Sequence, residues 1–184
     1  LLLDLNDTSL RSLPNVRRGV ANAVLDSTEE FAVAVTASLA DRALADGRKV
    51  GLVVNRSMPV RLLPDSSQRQ WSRIFETLAV ATSFGHRPLD EAISAESSRL
   101  SRMTSLIVIT ATRDAGWVKA VRGLTERRIP VCVVLIDDAW EGDGDDSLTI
   151  LEQSLVSARS KVIRYATSDR DVGPQSGSER RTNI

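Results

Sequence analysis

Apolar residues fall along this chain in short continuous runs, and between the runs they recur at three- and four-residue spacing. The first run, Leu1 to Leu5, ends abruptly in the oxygen-bearing side chains of Asp4, Asn6, Asp7, Thr8 and Ser9. A buried parallel strand looks like this where it delivers polar groups to the rim of a sheet. Residues 10 to 26 contain Pro14 and Gly19 and lack sustained periodicity, which predicts a long connection. A helix then starts at "STEE", where Ser27 and Glu30 have capping-box spacing and Phe31, Val35 and Leu39 continue one apolar stripe up to Gly47. "KVGLVV" predicts a second strand covered on both faces, and "PVRLLP" a short third strand whose prolines place it at an edge.

Trp71, Ile74, Phe75 and Leu78 predict a second helix. Pro88, at a first helical position, opens a third through Leu89, Ala92, Ile93 and Leu100. "SLIVIT" reads as the fourth strand, Trp117, Val118, Val121 and Leu124 as a helix, and "PVCVVLI" as the fifth strand. After the acidic stretch "DDAWEGDGDD", Ser147 caps a helix through Leu148, Leu151 and Leu155, and "KVIRY" is the last strand. From Ala166 to Ile184 there is almost nothing to bury, which predicts a flexible tail.

Strands alternating with helices imply an α/β, doubly wound, mainly parallel six-stranded sheet with helices on both faces and one short antiparallel edge strand. The expected domain covers residues 1–165 and the tail 166–184. Ligands of such sheets gather at the carboxyl ends of the strands. Here that rim carries Asp4, Asn6, Asp7, Thr8, Thr110, Thr112, Asp114, Asp137 and Asp138.

Composition narrows the chemistry. The 184 residues include 24 basic and 24 acidic ones, so no global field steers the chain toward nucleic acid or an anionic membrane. Cys132 is the single cysteine, which excludes an internal disulfide and fits a reducing compartment; inside "PVCVVLI" it reads as a small buried hydrophobe. No apolar stretch is long enough to span a bilayer, and no leader precedes a cleavage site. The chain opens without an initiator Met, inside what reads as a core strand, so the expectation is a soluble fragment with an upstream part missing.

No Gly-rich phosphate loop or Gly-x-Ser-x-Gly elbow is present, and the only histidine, His86, reads as a surface loop residue. "EGDGDDS" lacks the spacing and terminal Glu of a calcium loop and reads as a solvated turn. Arg11, Arg17 and Arg18 lack interleaved aromatics and read as a solvated loop rather than a nucleic-acid groove. A nucleophile, base and oxyanion donors cannot be assembled, so no enzyme is expected.

Three stretches carry a likeness. "LLLDLN", "STEEFAVAVTASLADRALADGRKVGLVV", and "PLDEAI" followed by "LIVITAT" together resemble the von Willebrand factor A-like domain. Within that superfamily the chain is most similar to the C-terminal half of the bacterial membrane proteins called domain of unknown function 58. The resemblance covers about residues 1 to 165.

Metal-binding members hold a divalent cation with an Asp-x-Ser-x-Ser run, a Thr before a Pro-Leu helix start, and an Asp after strand four. Carried onto this sequence, those positions are Asp4, Asn6, Thr8, Arg87 and Ala111. One is retained, two keep oxygen-bearing side chains and two are lost, so the resemblance implies a degenerate site with no cofactor. Arg87 is expected to replace the cation by a charge-assisted hydrogen bond to Asp4. The alternative is a non-standard site for magnesium or another divalent cation using Asp4 with Asp114 or Asp137; as helix-capping residues, Asp114 and Asp138 have no such role.

The resemblance further implies a non-enzymatic protein-interaction domain on the cytoplasmic face of the bacterial plasma membrane, anchored only through missing upstream helices. Its expected partner is a MoxR-type AAA+ ATPase engaged in protein assembly or remodelling, with no nucleic acid involved. The working surface would be the rim plus the 10–26 connection. The runner-up is a metal-dependent ligand-binding or adhesion domain.

Overall fold

The computed structural model describes residues 1–6, 28–82, 87–137 and 146–166. Its strands are β1 (Leu2–Asp4), β2 (Val50–Asn55), β3 (Val60–Asp65), β4 (Leu106–Thr110), β5 (Val131–Asp137) and β6 (Lys161–Ala166). Its helices are α1 (Thr28–Ala45), α2 (Gln68–Ala79), α3 (Leu89–Ser97), α4 (Val118–Glu126) and α5 (Ser147–Ser157). The strands form one sheet in the order β3-β2-β1-β4-β5-β6. Every neighbouring pair is parallel except β2–β3, which is antiparallel. This is the doubly wound α/β architecture expected, with the antiparallel strand at an edge, and it is consistent with a von Willebrand A-like fold.

Continuous apolar strands follow from burial on both faces, because successive side chains point to opposite sides. Leu2, Val108 and Val133 join one core with Leu89, Ile93, Val121 and Leu151 from α3, α4 and α5. Their neighbours Leu3, Ile109 and Val134 join the other, with Ala32 and Ala40 from α1 and Ile74 and Leu78 from α2.

Local details depart from the sequence reading. On α1 the fully buried residues are Thr28, Ala32, Thr36 and Ala40, while Phe31, Val35 and Leu39 are only partly buried. A ridge of small residues lets the helix lie close to the sheet, and Thr36 Oγ1 satisfies itself by donating to Ala32 O at 2.8 Å. Pro88 is the N-cap of α3 rather than its first helical residue, and Leu100 lies beyond the helix end. Ser147 is the first residue of α5, with Asp146 at the N-cap. Ala166, assigned above to the tail, pairs with Asp137 at the end of β6. Ser27 lies outside the described residues.

The β2–β3 hairpin contains a bulge: Val50 pairs with Asp65 and Leu52 with Leu62, so Leu63 and Pro64 together oppose Gly51. A Cβ at Gly51 would stand 3.0 Å from both Leu62 O and Pro64 Cγ, which is why glycine sits there. The buried Gln70 fills the gap in the ladder, donating from Nε2 to Val50 O at 2.7 Å and Leu63 O at 2.8 Å.

Candidate functional site

Strand β1 lies between β2 and β4, so the carboxyl ends of these three strands meet where the sheet order reverses. The register sets Asp4 beside Asn55 and Leu3 beside Ile109, which brings Thr110 to the other flank of Asp4. Asp4 is 1% exposed, and Asn55 and Thr110 are fully buried. A carboxylate removed from water to this degree requires hydrogen-bond donors. Asn55 Nδ2 donates to Asp4 Oδ1 at 2.9 Å, and Thr110 Oγ1 donates to Asp4 Oδ2 at 2.8 Å.

The network continues outward. Asn55 Nδ2 also donates to the main-chain carbonyl of Arg87 at 3.0 Å, and Asn6 Nδ2 donates to the same carbonyl at 3.2 Å. Thr110 Oγ1 in turn accepts from Thr112 N at 3.1 Å, holding the chain after β4 against the rim. Asn55 Oδ1 is buried without a partner. Turning the amide over would place that oxygen against two acceptors, so the orphan is the consequence of serving Asp4 and Arg87 together.

The expected role of Arg87 is therefore corrected. Its guanidinium Nη2 donates to Glu91 O at 3.4 Å, and it is the backbone carbonyl that meets the rim. Both oxygens of Asp4 accept from neutral donors on β2 and β4.

The remaining rim positions separate into local structures. Asp114 Oδ1 accepts from Gly116 N at 3.1 Å in an exposed turn before α4. Asp137, at the end of β5, receives both Nε and Nη2 of Arg164 on Oδ2, at 2.8 and 2.5 Å, and has Arg113 Nη2 3.7 Å from Oδ1. The pairing Ile136↔Tyr165 and Leu135↔Arg164 carries Arg164 to this carboxylate. Ala111 is buried and offers no side-chain oxygen. Asp7, Thr8, His86 and Asp138 lie outside the described residues, as do the 10–26 connection and the "EGDGDDS" stretch up to residue 145.

A hard divalent cation wants about six oxygens, several from carboxylates; among the described residues Asp4 is bonded to Asn55 and Thr110, Ala111 has no side-chain oxygen and Asp137 is bonded to Arg164. Among the described residues no group of three or more His, Cys, Asp or Glu side chains is placed to hold a metal ion.

Sequence reasoning missed Asn55, Arg113 and Arg164. Asn55 carried the same signal as Asp4, a polar residue ending a continuous apolar run, in "KVGLVVN". Arg164 had none, because it reads as the polar position of a half-buried strand. Cys132, beside Lys161 in the β5–β6 ladder, has its thiol pKa pushed up by partial burial, with the lysine charge opposing the shift.

Among the described residues no helix is long and apolar enough to cross a membrane. No protein-family model matches the sequence, and no curated protein matches it.

Proposed function

We propose that the chain is a non-enzymatic protein-interaction domain of von Willebrand A-like type with a degenerate metal site. It belongs, on this reading, to a membrane-anchored bacterial protein that works at the cytoplasmic face with a MoxR-type AAA+ ATPase in protein assembly or remodelling. The observation that carries the reading is the closed Asp4–Asn55–Thr110 network under the Arg87 carbonyl. In doubly wound folds this crevice receives small ligands; here the protein's own groups hydrogen-bond across it. What remains for recognition is the surface of the rim, where loops can vary without disturbing the sheet.

Two measurements test the proposal. Titration of the purified chain with a purified MoxR-type ATPase, followed by sedimentation, is expected to give a complex that the exposed rim substitution Asp114→Arg weakens. Failure to bind in both nucleotide states of the ATPase would refute the pairing. Thermal unfolding in chelator and then in millimolar magnesium, manganese or calcium is expected to give one common midpoint. A cation at about 100 times its dissociation constant would add roughly 2.7 kcal/mol, or about 5–10 °C, and such a shift lost in Asp4→Ala would establish the metal-dependent alternative instead.

A further inference from the structure

We infer that the amino end of the sheet, opposite the rim, is a docking surface for an anionic lipid membrane. The inference concerns a surface separate from the Asp4 network and does not rest on the ATPase pairing.

The fold divides a chain of zero net charge unevenly. Strands β1, β2, β4, β5 and β6 run parallel and start at one end of the sheet, and antiparallel β3 finishes there. The five connections at this end, 46–49, 66–67, 98–105, 127–130 and 158–160, all lie within the described residues. Counted with the helix turn and the strand residue adjoining each, the first holds Arg42, Arg48 and Lys49 against Asp46, and the second Arg69 against Asp65. The third holds Arg99 and Arg102 against Glu96, and the fourth Arg127 and Arg128 against Glu126. The fifth holds Arg159 and Lys161 with no acid. That makes ten basic residues to four acidic ones, on a chain with 24 of each, and all ten are exposed. Glu96 is itself buried and bonded to Arg61 of β3, and Asp46 stands 3.4 Å from Arg42.

Two of these arginines are held under backbone strain. Helices α1, α4 and α5 end in the same turn: Arg48 N donates to Ala43 O at 2.9 Å, Ile129 N to Leu124 O at 3.1 Å and Ser160 N to Leu155 O at 3.2 Å. The residue before each donor is left-handed, with φ of 73° at Gly47, 63° at Arg128 and 61° at Arg159. Glycine takes this conformation freely, as it does after α1, whereas a side chain disfavours it. The helix macrodipole favours a cation here, yet Arg127 already supplies one to α4 from an unstrained φ of −77°. Arginines standing where glycine suits the turn better point to a use for their side chains. The two turns are neighbours, tied by Thr125 Oγ1 donating to Ala158 O at 2.7 Å.

Breadth and apolar content select lipid among anionic partners. Adjacent strands lie about 4.8 Å apart, so the charges extend over roughly 24 Å across the sheet end, too wide for one bound anion. In the 98–105 connection Thr104 N donates to Ser101 O at 3.0 Å, which puts Arg102 and Met103 at the central positions of a turn. Met103 is 95% exposed there. A lipid interface accommodates such a tip, taking the thioether at the acyl boundary and the guanidinium among the headgroups. Nucleic acid fits less well, because this end offers turns rather than the helix or ribbon that enters a duplex groove. Trp71, the one aromatic among these residues, has a ring face stacked on Phe75 at 4.2 Å between centroids, and its Nε1 donates to Asp41. With this end on lipid, the rim faces away from the bilayer and stays open to a protein partner.

The test is sedimentation of the 184-residue chain with vesicles of phosphatidylcholine, alone or with about a third phosphatidylserine. The decisive variant combines Arg128→Gly with Arg159→Gly, which removes two charges and relieves two strained turns. Each basic residue beside an anionic surface raises affinity roughly fivefold, so the pair should lower it roughly 25-fold. The expected result is binding to the phosphatidylserine vesicles only, weakened by salt and by the glycine pair, whose unfolding midpoint is unchanged or raised. Met103→Ser should weaken binding at unchanged charge, and Arg56→Gln, beyond the other end of β2, should not. Equal binding to both vesicles, binding to neither, a glycine pair that binds like wild type, or no effect of Met103→Ser would overturn the inference. So would a loss in Arg56→Gln equal to the loss per charge in the glycine pair, which would assign the effect to net charge. Binding to a duplex oligonucleotide or to polyglutamate without binding to vesicles would assign this end to nucleic acid or to an acidic protein instead. A chain that sediments with vesicles but does not bind the ATPase upholds this inference and refutes the pairing; the reverse outcome does the opposite.

Discussion

Thr110→Val tests whether the buried network stabilises the fold. Valine keeps the shape and strand preference of threonine and removes only the hydroxyl, so two bonds are lost together. Asp4 Oδ2 loses its donor at 2.8 Å, and Thr112 N loses its acceptor at 3.1 Å. A hydrogen bond to a charged group contributes about 1.5–3 kcal/mol, and a neutral one about 1 kcal/mol. Because Asp4 is 1% exposed, water cannot readily take the place of the hydroxyl. The expected destabilisation is therefore about 3 kcal/mol, seen in urea or thermal unfolding as a fall of roughly 6–12 °C for a domain of this size. Thr110→Ser, which keeps the hydroxyl and loses a methyl, should lose only about 1 kcal/mol. A double-mutant cycle of Thr110→Val with Asp4→Leu isolates the pairwise term, expected at about 1.5–3 kcal/mol. A Val variant within about 0.5 kcal/mol of wild type, or a Ser variant as unstable as the Val variant, would show that the hydroxyl does not stabilise the fold.

Two further outcomes are expected. Gly51→Ala should destabilise by about 1–3 kcal/mol, since its Cβ meets backbone Leu62 O at 3.0 Å and the carbonyl cannot swing aside; an unchanged urea midpoint would show that the hairpin relaxes freely. The Cys132 thiol, raised by burial, should react with a disulfide reagent at pH 8 more slowly in the folded chain than in urea, and equal rates would contradict its placement in the β5–β6 ladder.

Legibility differed from element to element. The strands could be read because burial on both faces demands uninterrupted apolar runs, and each such run lies in a strand. The face of α1 could not, because its stripe of Phe31, Val35 and Leu39 outweighs Thr28, Ala32, Thr36 and Ala40 in hydrophobicity. Close approach of helix to sheet favours small side chains at the centre of the contact, and size is invisible to a count of apolar positions. The flank of β3 shows the same limit: Leu63 resembles a core residue in sequence and is exposed because no helix of the described chain lies over it.

Local pattern and the demands of burial are enough to read the α/β class, the edge position of β3 and the presence of a polar rim led by Asp4 from the order of residues. Tertiary structure alone decided what the rim does. Asn55 and Thr110 lie 51 and 106 positions from Asp4, and only strand order and register bring their donors to its two oxygens. A sequence names the side chain at Arg87 but not which of its atoms turns inward. The carbonyl, which every residue possesses, occupies the place where the side chain was expected, because buried donors must be matched by whichever acceptor the folded backbone presents.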